Sequence, residues 1–138
     1  MKKFAAVLVL ALAVVGVASA SPAKEVMLGA KLNAMADHAT SSHGKGTFTA
    51  TITGSKLSWH LTFSGLTGAA TAAHIHLGKA GVSGNVLIPL CTPCKPTSMG
   101  TVKLNAMQLK DVKSMATYVN VHTAKYANGE IRGQVTAH

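Results

Sequence analysis

Three histidines carry the spacing best suited to chemistry. His74 and His76 alternate with Ile75, and His122 follows Val119 and Val121 at the same period of two. Residues i and i+2 of an extended chain point to one side. With Ile75 and Leu77 read as core, both imidazoles leave the core face. With Val119 and Val121 read as core, Tyr118, Asn120 and His122 leave it too. Three neutral imidazoles meeting on one outer face suit Zn²⁺ or Cu²⁺, with an open position for water. Spacing alone does not make the two strands neighbours, and the alternative is a set of solvent-facing or locally hydrogen-bonded rings. His38, His43, His60 and His138 lack partner spacing and read as surface residues.

A second pattern is Cys91-Thr92-Pro93-Cys94, which holds both cysteines of the chain. In a cytosolic βαβ context C-x-x-C suggests redox chemistry, but no such context exists here. Two cysteines in an exported protein usually pair. A structural loop clip worth about 2 kcal/mol is therefore expected, the alternative being a soft-metal thiol site with Met99. Glu130 and Arg132 share a strand face and could pair there, but an exposed pair is worth only about 0–1 kcal/mol, so both read as surface decoration. Hydrolysis has little to work with, because the chain holds four acids in all and no Ser-His-Asp set, paired carboxylates or phosphate loop.

The elements that must position these groups are short strands. Phe48, Ala50 and Ile52 alternate with threonines, and Leu57, Trp59, Leu61 and Phe63 alternate with polar residues after Gly54-Ser55. That is a hairpin of two half-buried antiparallel strands. Further strands are expected at 71–77, 85–90, 118–123 and 130–136, with Asn128-Gly129 as a turn before the last. Asn105 with Gln108 forms a capping-box pattern, so one short helix is expected near residues 105–116. Residues 36–46 read as a surface loop. The fold class is all-β: an antiparallel, Greek-key-like β-sandwich or barrel.

The 138 residues fit one domain. Lys2 and Lys3 precede an apolar run from Phe4 to Val17, broken only by Gly16, and then Ala18-Ser19-Ala20. This is the pattern of a signal peptide over residues 1–20, cleaved after Ala20. A secreted or periplasmic mature chain, residues 21–138, with no transmembrane anchor after processing, is the expectation. It keeps 11 Lys+Arg against 4 acids, a net +7. Such a charge favours an anionic surface or an extracytoplasmic protein as partner. The charges are scattered and no aromatic residues interleave with them, so no specific nucleic-acid binding is expected.

Several segments in order resemble the CHRD domain, a chordin-type module also found in exported bacterial proteins. They are Phe63-Ser64-Gly65-Leu66, the run from Thr71 to Gly78, the run from Tyr118 to Thr123, and the run from Gly129 to Val135. The resemblance implies a single β domain that binds rather than catalyses, with no catalytic residue to carry over. Gly65-Leu66-Thr67, His74-Ile75-His76 and Val119-Asn120-Val121-His122 are also similar to the copper-ligand segments of copper/zinc superoxide dismutase, an antiparallel Greek-key barrel. That likeness implies that the two histidine strands adjoin, giving a copper or zinc site at His74, His76 and His122. Bridging and zinc ligands are missing, because Leu77 to Ala116 contains no His and one acid, Asp111.

Overall fold

The computed structural model describes residues 13–39 and 41–138. The segment expected to direct export lies largely at residues 1–12, outside the described residues, and residues 13–24 carry no regular structure. Among the described residues no helix is long and apolar enough to cross a membrane.

Among the described residues nine strands form, in chain order β1 (Glu25–Asn33), β2 (Lys45–Thr53), β3 (Lys56–Ser64), β4 (Ala70–Leu77), β5 (Val86–Cys91), β6 (Thr97–Lys103), β7 (Thr117–Thr123), β8 (Ile131–Gln134) and β9 (Thr136–Ala137). They make one antiparallel sheet in the order β5-β4-β7-β8-β1-β2-β3-β6, with β9 added to β1, curled into an almost closed barrel. The hairpin of β2 and β3 follows from period-two patterning. Thr53 pairs with Lys56 around Gly54, whose φ of 61° favours glycine. Phe48, Ile52, Leu57 and Leu61 point inward, where they meet Ile75, Val119 and Val121, all buried.

β1 and β6 lie outside the alternating runs. In β1 the apolar residues Val26, Met27 and Leu28 are consecutive, so its inward face is marked only by the burial of Leu28, Ala30 and Leu32. β6 is an edge strand of threonine, serine, glycine and an exposed Met99, with no buried apolar face to announce it. Leu77, expected in the core, is 42% exposed.

The helix α1 (Ala106–Lys113) is shorter than expected. Asn105 Oδ1 accepts from Gln108 N at 2.8 Å and Gln108 Oε1 accepts from Asn105 N at 3.0 Å, so the capping box forms. Ser114 Oγ donates to the Asp111 carbonyl at 2.6 Å, and Met115, at φ 59°, turns the chain into β7.

The barrel stays open between β5 and β6, the two ends of the strand order. One end of this seam is bridged by the 92–96 connection, where Cys91 and Cys94 form the expected disulfide and Cys94 N donates to the Ala70 carbonyl at 3.1 Å. Toward the other end, Gln108 Nε2 of α1 donates to the Leu87 carbonyl at 3.1 Å while Val112 is fully buried.

Candidate metal centre

β4 and β7 are hydrogen-bonded neighbours. Their register sets His74 opposite Asn120, His76 opposite Tyr118, and His122 opposite the small Ala72. Ile75, Val119 and Val121 fill the barrel, so the three imidazoles stand on the outside of the wall. Their ligand atoms lie within 4.8 Å of one another. His74 Nδ1 and His122 Nε2 are 3.0 Å apart. Nitrogens bound to one metal at about 2.0–2.1 Å stand about 3.3–3.6 Å apart, so small ring movements would bring this trio to that spacing.

Hydrogen bonding selects the ring atoms. His76 Nδ1 lies 2.9 Å from the Gly84 carbonyl and His122 Nδ1 lies 3.0 Å from the Ala127 carbonyl. A carbonyl only accepts, so both neutral rings carry their proton on Nδ1 and present the Nε2 lone pair. Main-chain carbonyls orienting ligand rings in this way are common around metals. His76 Nε2 is buried without a hydrogen-bond partner among the described residues. Without a metal, His122 Nε2 accepts from His74 Nδ1.

The outer wall is not open to solvent, as the sequence suggested. His76, Tyr118, Asn120 and His122 are buried, and only His74 remains half-exposed. Two loops roof them. The 78–85 loop is held by Arg132 Nη2, which donates to the Lys79 and Val82 carbonyls at 2.9 and 2.8 Å, and by Gln134 Nε2, which donates to the Gly78 carbonyl at 2.9 Å. The loop after β7 approaches closely at Gly129, where a Cβ would collide with Asp37 Oδ2 and Asn120 Nδ2. Asp37 sits on a short 3-10 helix (Met35–Asp37) and accepts from Asn120 Nδ2 at 3.2 Å.

Burial and the neighbouring His122 and His76 push the pKa of His74 below its ordinary value of 6.5. Burial also lowers that of His122, against the opposing pull of the Ala127 carbonyl and Asp37. Burial raises the Asp37 carboxyl, opposed by the Asn120 hydrogen bond and by nearby Arg132, His122 and His76.

The reading of Glu130 and Arg132 as surface decoration does not hold. Glu130 and Arg132 are both buried and take separate partners. The Arg132 guanidinium lies 3.4 Å above the Tyr118 ring, which in turn stacks on His76 at 4.9 Å with planes 10° apart. Glu130 accepts from Ser42 Oγ at 2.6 Å, from Thr67 N and Oγ1 at 2.7 and 2.8 Å, and from Thr123 Oγ1 at 2.6 Å. Burial pushes its carboxyl up, but these donors outweigh burial and hold the pKa below the ordinary value of 4.5. Residues 36–46 therefore do more than line the surface, since Ser42 bonds this buried carboxylate and Ala39 is itself buried. The roles of Glu130, Arg132 and Tyr118 were missed because alternation marks which face a side chain takes, not what covers that face. His60 lies on β3, paired with Thr49 and Met99, and is not part of the cluster.

A near-barrel antiparallel sheet carrying a roofed, histidine-lined chamber on its outer wall defines an all-β module. The chain belongs to the CHRD domain family, whose model matches residues 17–135. No curated protein and no solved structure matches it.

Proposed function

We propose that this chain is an exported binding module whose ligand is a transition-metal ion, copper or zinc, held by His74 Nδ1, His76 Nε2 and His122 Nε2. The observation that carries this reading is the buried His76 Nε2 lone pair, which has no partner among the described residues. A buried acceptor left unpaired is costly, and a metal ion satisfies it together with the two adjacent rings. His74 moves its proton from Nδ1 to the other ring nitrogen when it ligates. The likeness to dismutase copper-ligand segments supports copper, but the acid-poor stretch between β4 and β7 gives no reason to propose dismutase chemistry. CHRD membership supports a binding role rather than catalysis.

Calorimetric titration of folded, metal-free protein with Cu²⁺ or Zn²⁺ at pH 7.5 tests the reading. One equivalent is expected to bind with micromolar or tighter affinity. Ligand rings must be neutral. Because His74 and His122 have pKa values below 6.5, affinity is expected to persist through pH 6.5 and fall at lower pH. Binding no tighter than millimolar would sink the proposal.

Export belongs to the same reading. Lys2, Lys3, the apolar run and Ala18-Ser19-Ala20 are proposed to direct secretion with cleavage after Ala20. The exported product is expected to have the intact mass of residues 21–138, and a membrane-bound product retaining Met1 would overturn this.

A further inference from the structure

We infer that the chamber selects monovalent copper over divalent ions, with Arg132 as the residue that sets the preference. This rests on the metal-site reading above. The three ligands are neutral nitrogens, and the cluster includes no carboxylate or thiolate to offset the charge of a bound ion. Two of the rings are buried, so each added unit of positive charge has to be carried with little help from water. Arg132 adds a fixed cation to the same compartment. Arg132 is 5% exposed, and among the described residues its guanidinium bonds only to the neutral Lys79 and Val82 carbonyls and presses on the Tyr118 face opposite His76.

The acid facing this compartment is Asp37, which is engaged by Asn120. If ionised, Asp37 balances Arg132 and leaves the full charge of the metal uncompensated. If neutral, it leaves Arg132 uncompensated as well. In both cases a +1 ion is disfavoured less than a +2 ion. Like-charge repulsion through a low-dielectric ring stack acts more strongly on the higher charge. Tyr118 is the spacer that fixes the separation, because its hydroxyl is anchored by the Gly84 N–H at 3.2 Å.

The test is a pair of competition titrations on the whole mature protein. Cu⁺ affinity is measured anaerobically against a cuprous chelator, and Cu²⁺ affinity against a cupric one. At least tenfold tighter binding of Cu⁺ is expected, equivalent to a reduction potential about 59 mV above that of aqueous copper for a one-electron couple. Arg132→Gln is expected to lower the Cu⁺ to Cu²⁺ affinity ratio severalfold, and Arg132→Lys to restore most of it. Equal or tighter Cu²⁺ binding by the unaltered protein would overturn the inference while leaving the metal site itself standing. No binding of either ion would remove the site, and this inference with it. If Arg132→Gln does not fold, the ratio in the unaltered protein and in Arg132→Lys still decides. A ratio untouched by Arg132→Gln in folded protein would take the selecting role from Arg132.

Discussion

Replacement of Glu130 by alanine is expected to cost about 3–4 kcal/mol of stability, the largest loss from any single exposed-looking position in the sequence. The carboxylate is fully buried and accepts four hydrogen bonds, from Ser42, Thr67 twice, and Thr123. Alanine would leave those donors facing a void, two residues in loops and Thr123 at the end of β7. Glu130→Gln keeps the shape and one acceptor, so a smaller loss of about 1–2 kcal/mol is expected. The pH dependence separates charge from shape. A folded-state pKa below 4.5 means that the ionised form is favoured by folding. That contribution is complete above pH 4.5 and is lost as pH falls through the folded-state value. In urea melts, the gap between the natural protein and Glu130→Gln should therefore be constant near neutrality and narrow below pH 4.5. A gap under 1 kcal/mol, or one indifferent to acid, would show that the four bonds contribute little.

Replacement of His76 by alanine is expected to weaken Cu²⁺ or Zn²⁺ binding by at least about a hundredfold, since even outer-sphere partners of metal ligands are worth about 10–100-fold. His122→Ala should behave alike and His60→Ala should not change affinity. Both ligand rings are buried, so their truncation also costs stability, about 1–2 kcal/mol for the lost packing and hydrogen bond. Urea melts must accompany the titrations. His74→Ala is the cleaner probe, because that ring is half-exposed and its removal should lower affinity with little effect on the fold. Equal losses in His60→Ala and His76→Ala would argue against the chamber as the binding site.

The sequence makes some of this arrangement plain and hides the rest for physical reasons. Period-two alternation is a local property, and it correctly put Ile75, Val119 and Val121 in the barrel and the imidazoles on its outer wall. The capping box at Asn105 and Gln108 likewise depends on residues three apart, and it forms. What alternation does not encode is the roof. Glu130 and Arg132 look like surface decoration because, Thr123 apart, their side-chain partners lie far along the chain, at Ser42, Thr67, Lys79 and Val82. β6 is hidden for a related reason: an edge strand held mainly by its main-chain pairing with β3 needs no apolar face of its own. The adjacency of β4 and β7 was legible only through likeness to a known barrel, since residues 78–116 separate them with no periodic signal of pairing.

The strand order also governs when this molecule can fold. β8, far from β1 in sequence, lies between β7 and β1, and β9 adds to β1 as well. β1 must therefore wait for β8 and β9 before its place in the sheet is complete. A nascent chain can close the β1-β2-β3 ribbon, but the wall bearing the histidines stays unjoined to it until residues 131–137 are released. Pairing at such sequence distance is slow, because the entropy of the long intervening loop is spent before any contact repays it.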